Sequence, residues 1–477
     1  MVSSFEIPID SALANLYEFM SSTDFPGSRA NRRREVAYVA IVPNPQAISR
    51  CENGDANCES LLYIVNFEEE QGYAILAADK RIGEKIIAIT DQGSLSTEQL
   101  NYNSEYQTEE SDRPFYEGYP TTGPGFYTLP EYGDELFMNP NTVNLEIEGE
   151  GILVGNFDED DVGFTVKPFP TSQQLPASFC IDYALSEVNN YEDDCSDSNG
   201  NSFIIKDWEE NTSGNTAQKS RVETTYSNWI LSKWSIPILG RFILWNQGSP
   251  FNDMCPNRRN GILFGRKKRA AAGCFPLAIA KVFTYKEYPY SFVYNGYNVS
   301  WASLKSSIDP KNIDKISAAA LLRGVGLGCD SWYFYQGTFT FPWRGTAYMR
   351  SMGLKDAHSY GYSFDRVTRM IDDNKPLIIY GMPKYNLTKS HCWNIDGYKE
   401  TERTITTKTF IGDSLVGEST RKEFCKMVHC DFGWGGEQNG YYVSGVFNLK
   451  DSRAEKDLSS NSNKDYNYDT YVYIVMY

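Results

Sequence analysis

Cys274 opens the run Cys-Phe-Pro-Leu-Ala-Ile-Ala-Lys-Val-Phe-Thr-Tyr, whose apolar spacing predicts a helix from Cys274 to Tyr285. A thiol in the first turn of a helix feels the positive end of the macrodipole, which favours the thiolate. Gly273 before it leaves room for a substrate backbone. A nucleophilic thiol needs an imidazole to take its proton and return it to a leaving amine. The chain has three histidines, His358, His391 and His429. His391 lies in Lys-Ser-His-Cys-Trp-Asn-Ile-Asp-Gly-Tyr, where strand alternation puts it on one face with Trp393 and Ile395. The segment His429-Cys-Asp-Phe-Gly-Trp-Gly-Gly supplies Asp431 to orient the ring and Trp434 to shield it. Gln247, in Trp-Asn-Gln-Gly-Ser-Pro-Phe-Asn, is a side-chain amide that could join the Cys274 backbone N–H in stabilising an oxyanion. Singly, each has an ordinary structural reading: a core thiol, a hydrogen-bonded core histidine, a glycine turn, a surface amide. Together they describe acyl transfer through a thioester.

Taken in order, Trp-Asn-Gln-Gly-Ser-Pro-Phe-Asn (245–252), Gly-Cys (273–274), His-x-x-x-Ile-Asp-Gly-Tyr (391–398) and Gly-Trp-Gly-Gly-x-x-Asn-Gly-Tyr-Tyr (433–442) resemble the streptopain family of papain-like cysteine peptidases. The N-terminal Leu-Tyr-Ile-Val-Asn-Phe, Tyr-Ala-Ile-Leu-Ala-Ala-Asp-Lys-Arg and Ile-Ile-Ala-Ile-Thr-Asp-Gln-Gly-Ser-Leu resemble its inhibitory propeptide. The resemblance implies a zymogen whose propeptide occludes the cleft, with Cys274 as nucleophile, His391 as base and Gln247 as oxyanion donor. Trp434 falls on a tryptophan of the family motif. Two departures stand out. Phe275-Pro276 follows the cysteine where the family has a Val-Ala-Thr-Ala run, and Asp431-Phe432 replaces Asn-Trp. An aspartate keeps an acceptor for the imidazole, while loss of the tryptophan thins the shield.

Several elements must position these groups. Residues 8–20 predict a helix with Leu13, Leu16, Phe19 and Met20 on one face. Residues 36–44 and 61–78 read as strands, the second stretch as a hairpin around Glu68–Gly72. From about 100 to 215, Tyr, Pro, Gly and acidic residues dominate, and the expectation is loops and short strands; 206–222 reads as an exposed linker. A helix over 364–373 carries the stripe Phe364, Val367, Met370 and Ile371 behind Ser363, and Pro376 ends it. Strands at 377–380, 391–398, 404–411 and 424–432 complete an α+β pattern. The expected division is a propeptide at 1–225, with an acidic insertion at about 100–215, and a papain-like peptidase domain at 226–477. Activation would cut within about 206–235, near Lys219 or Arg221. A cut in the basic loop Arg266–Arg269 would part Gln247 from Cys274.

Composition narrows the functional class. The 477 residues carry 45 basic and 62 acidic side chains, a net charge of −17, which repels phosphate backbones and argues against general nucleic-acid binding. No stretch reaches the roughly 18 apolar residues of a membrane helix. The pairs Cys51/Cys58 and Cys180/Cys195 could form local disulfides in an exported protein. Cys425, His429 and Cys430 lack the second ligand pair of a structural metal site. The mechanism needs no cofactor or metal. Expected partners are peptide substrates and the chain's own propeptide. The expected location is secreted, periplasmic or cell-surface, with the leader outside this sequence. Two alternatives use the same residues: a degenerate binding or adhesion protein, and an acyltransferase with an amine acceptor.

Overall fold

The computed structural model describes residues 5–23, 34–44, 60–96, 152–154, 165–167, 175–189, 220–239, 244–259, 267–305, 313–334, 337–383, 391–412, 414–447 and 470–477. The N-terminal part is a helix, α1 (Ile9–Thr23), followed by four strands, β1 (Val36–Pro43), β2 (Ser60–Phe67), β3 (Tyr73–Ala77) and β4 (Ile86–Thr90). Leu16 and Phe19 of α1 are fully buried against this sheet, as their spacing requires. A second helix, α2 (Leu175–Asn189), stands where loops and short strands were expected. It buries Ala177, Cys180, Ile181, Ala184, Leu185 and Val188, an i, i+3, i+4 stripe that the surrounding polar sequence obscured. The stretches 112–127 and 158–161 lie outside the described residues.

Two strands follow, β5 (Ser220–Tyr226) and β6 (Ile230–Ser235). The linker expected over 206–222 is therefore strand from Ser220 onward, and residue 225 lies within that strand; Lys219 is outside the described residues. The helix α3 (Cys274–Lys286) comes next, then α4 (Lys315–Gly328), α5 (Pro342–Ser351), β7 (His358–Gly361), α6 (Phe364–Asp372) and β8 (Leu377–Pro383). The chain closes with β9 (His391–Ile411), β10 (Ser414–Asp431), β11 (Gly440–Val443) and β12 (Thr470–Met476). The strands expected at 391–398 and 404–411 are one continuous strand. The polar run Lys399–Thr404, which resembles a turn, continues the pairing with β10.

One antiparallel sheet runs through the molecule in the order β1-β2-β3-β4-β11-β10-β9-β8-β12-β7, with β5 and β6 both pairing with β9. Its two faces carry separate cores. Along β8, Ile378 and Tyr380 pack into the core around α3, whereas Leu377 and Ile379 belong to the opposite core. The joint between the N-terminal part and the rest is the β4–β11 pairing, Thr90 opposite Gly440, Ile89 opposite Tyr441 and Ala88 opposite Tyr442. Gly440 is needed there, because a Cβ would lie 2.4 Å from the Ile89 carbonyl oxygen and 2.5 Å from Thr90 Cα.

Cys180 is a free, fully buried thiol, so the disulfide to Cys195 is not formed; Cys51, Cys58 and Cys195 lie outside the described residues. Among the described residues no cluster could hold a metal ion, and no helix is long and apolar enough to cross a membrane.

Candidate active site

Cys274 is the first residue of α3. Gly273 caps the helix at φ +99°, a conformation open to glycine, and a Cβ there would press on Thr338 Cγ2 at 2.9 Å. Thr338 Oγ1 fixes the approach from outside by donating to the Ala271 carbonyl at 2.6 Å. Pro276 sits in the first turn, where a missing N–H costs nothing. Burial pushes the Cys274 thiol above its ordinary range, while the backbone N–H groups of Cys392, Phe275 and Cys274 itself pull it down. The helix-terminal donors expected from the sequence are present, but desolvation outweighs them, so the resting thiol is protonated.

The helix is tied to the strand that carries His391 by Asn394 Nδ2, which donates to the Ala278 carbonyl at 3.3 Å. His391 begins β9 and is buried at 9% exposure. Its Nε2 lies 3.0 Å from the Phe432 carbonyl oxygen. A carbonyl only accepts, so Nε2 carries the proton and Nδ1 keeps the lone pair that a base needs. Burial is the main reason the imidazole is depressed to about 4, with Lys281 adding to the effect against the Phe432 hydrogen bond. Trp434 stacks on the ring at 5.0 Å and 28°, and Trp393 lies nearly parallel at 5.9 Å. Among the described residues no hydrogen bond joins Cys274 to His391.

Asp431 does not orient His391, as the sequence suggested. Its Oδ1 accepts from Lys281 Nζ at 2.7 Å and from the Gly433 N–H at 3.1 Å, and both charged side chains are fully buried. The orienting acceptor is the backbone of the next residue, which no side-chain motif can signal. Lys281 did leave a signal, being the one charged residue in the run Cys274–Tyr285. Gln247 is half-buried, and its backbone carbonyl accepts from Ala272 N–H at 3.0 Å, two residues before Cys274. In the same segment the buried Trp245 accepts from Gly435 N–H at 3.0 Å, so residues 245–247 tie the thiol's approach to the turn bearing Trp434.

The N-terminal part reaches this turn. The Asp91 N–H donates to the Asn439 carbonyl at 2.7 Å, and Gln92 Nε2 lies 3.4 Å from the Gly435 carbonyl. The Asp91 carboxylate lies 2.9 Å from His429 Nε2, while His429 Nδ1 meets Asp396 at 2.5 Å. Burial pulls His429 down, and Asp396 and Asp91 more than offset it, raising the imidazole to about 10. His429 is thus a buried cation between two carboxylates, one on each side of the joint.

Residues 245–442 match the Peptidase C10 family and residues 27–111 match the Spi protease inhibitor. The chain carries a Peptidase C10 domain of the streptopain family preceded by an inhibitor propeptide domain, the arrangement of a cysteine-peptidase zymogen. Strands β1 to β4 fall within the inhibitor match, and Cys274, His391 and Trp434 within the peptidase match. Among solved structures, a fragment of Prevotella intermedia prointerpain A is similar at 13% identity and a TM-score of 0.44, covering 92% of this chain and 98% of that one. No curated protein matches the chain.

Proposed function

We propose that this chain is the precursor of an exported cysteine endopeptidase, with Cys274 as nucleophile and His391 as general base and acid. The observation that supports the reading is that Cys274 opens a helix tied to the His391 strand by Asn394 Nδ2 donating to the Ala278 carbonyl at 3.3 Å, while the Phe432 carbonyl on His391 Nε2 leaves Nδ1 unprotonated. In the reaction, His391 Nδ1 takes the thiol proton as sulfur attacks the scissile carbonyl carbon. The tetrahedral oxyanion forms toward the Cys274 N–H and the Gln247 side chain. His391 then protonates the leaving amine, the C–N bond breaks and a thioester remains. Water, deprotonated by His391, hydrolyses the thioester and frees the carboxylate product and the thiol. Trp434 covers the imidazole and limits water at the ion pair that forms.

The propeptide, from the N-terminus to a cut before β5, would hold the peptidase latent. Arg221 lies within β5, paired opposite Phe410, so a cut at Arg221 itself would have to open that pairing. The test is casein hydrolysis by trypsin-trimmed protein under reducing conditions, beside Cys274→Ala. Internal cleavage by wild type alone supports the reading; equal cleavage by the variant overturns it. An added amine captured in the products would instead favour acyl transfer.

A further inference from the structure

We propose that Lys281 and Asp431 are a matched positioning pair, which clamps the His391-holding turn onto the helix that carries Cys274. Lys281 stands two helical turns after Cys274, on the same side of α3. Its ammonium meets Asp431 at 2.7 Å, with both side chains at 0% exposure. Asp431 also accepts from Gly433 N–H, so one carboxylate anchors both ends of the three-residue turn. Between those ends, the Phe432 carbonyl is the acceptor on His391 Nε2. Gly433 at φ +77° lets the turn close onto the helix, since a Cβ there would stand 2.7 Å from Leu277 Cδ2 and 4.0 Å from Lys281 Nζ. The path from thiol to imidazole thus runs Cys274, α3, Lys281, Asp431, Phe432 carbonyl, His391.

Burying such a pair has a cost that only a matched partner offsets. Removing one member leaves an uncompensated charge in the core, whereas replacing both by neutral groups can be nearly free. The Asp431 carboxylate is neutralised by a lysine on the helix that carries Cys274. Lys281, paired with Asp431, is a charge that acts on His391 and lowers its imidazole.

The inference rests on the peptidase reading, and its test separates the two. Full-length wild type, Lys281→Gln, Asp431→Asn and the double variant are treated with iodoacetamide. The label on Cys274 is followed by peptide mass spectrometry, and His391 is titrated by NMR with selectively labelled histidine. Each single variant is expected to label Cys274 about tenfold more slowly, and the double to recover to within about threefold. The His391 titration should move in opposite directions: upward in Lys281→Gln, which leaves a nearby anion, and downward in Asp431→Asn, which leaves a nearby cation. A merely structural role would lower stability without opposite shifts. Wild-type labelling and an unshifted His391 in both singles overturn the proposal, as does a folded double variant that stays tenfold slow. If a single variant fails to fold, recovery or non-recovery of the double decides. If wild type still resists labelling at Cys274 after trypsin has removed the propeptide, the peptidase reading fails, and the His391 shifts still decide the pair.

Discussion

Replacing Gly440 by alanine should loosen the propeptide without touching the chemistry. Gly440 sits on β11 opposite Thr90, where, among the described residues, the inhibitor-matching strands join those of the peptidase. An added Cβ would lie 2.4 Å from the Ile89 oxygen and 2.5 Å from Thr90 Cα. Both obstacles are backbone atoms, so neither can yield by a side-chain rotation; the strands must part. Overpacking of this kind costs about 1–3 kcal/mol. At tenfold per 1.4 kcal/mol, the detached population of β4 should rise about 5- to 150-fold. The assay is amide hydrogen exchange on the full chain, read on peptides covering residues 86–90 and 440–443. Faster exchange there, with earlier onset of activity, is the expected result. Once the propeptide has been removed the clash with Ile89 and Thr90 has no partner; the strain of an alanine at φ +158° remains, so the trimmed variant should melt earlier yet cleave casein like wild type. Unchanged exchange at 86–90 would refute the reasoning, as would an equal loss of activity in the trimmed enzyme.

Asp91→Asn removes one carboxylate from His429, and because Asp91 is half exposed the effect should stay within about 1 kcal/mol, a two- to fivefold faster propeptide release at pH 7. His429 titrates near 10 in the folded chain, above its ordinary range, so this contribution is full below about pH 6.5 and is lost as pH rises through 10; the difference between wild type and variant, read by release rate, should vanish there. Trp434→Ala removes the ring stacked on His391 and should lower kcat/KM about threefold to tenfold, in line with a stacking contribution of about 0.5–1.5 kcal/mol. Burial, with Glu423 and Glu187 adding to it, raises Glu84 to about 7, so its protonated form favours folding at low pH and that contribution fades as pH rises through 7. Glu84→Gln should therefore raise the Tm by a few degrees at pH 8 and leave it nearly unchanged at pH 5, measured by thermal denaturation.

Where the sequence carried a clean period, the fold was legible. The stripes of α1 and α6 and the apolar run of β8 each predicted an element, and α3 began at the expected residue. Helix α2 had a readable stripe from Ala177 to Val188, but it lay in a region dominated by acidic and turn-forming residues. The β9–β10 ribbon was read only in part, as strands at 391–398, 404–411 and 424–432, while 399–403 and 414–423 were missed for a different reason. The side chains of 414–422 are exposed and the run 399–403 is polar, so no apolar alternation marks those stretches as strand. At the site, side-chain chemistry pointed to Cys274, His391 and Trp434, and the folded chain brings the latter two into stacking contact. Asp431 was misread because a carboxylate near a histidine is a natural partner, whereas the real acceptor is the Phe432 carbonyl, which is invisible to residue type. The propeptide's grip through Asp91 and His429 needs residues 338 positions apart, a pairing that no local pattern encodes.

The central claim is that Cys274 and His391 form the catalytic pair of a latent peptidase. Its most direct test is an intact-mass time course of the full chain under reducing conditions, beside Cys274→Ala and His391→Gln. A trace of trypsin starts each reaction, and iodoacetamide samples the thiol before and after the propeptide leaves. The account predicts slow labelling of Cys274 at the outset, faster labelling once the propeptide is shed, and casein cleavage by wild type alone. A trimmed wild type that neither labels at Cys274 nor cleaves casein, or a Cys274→Ala variant that does cleave it, would contradict the account.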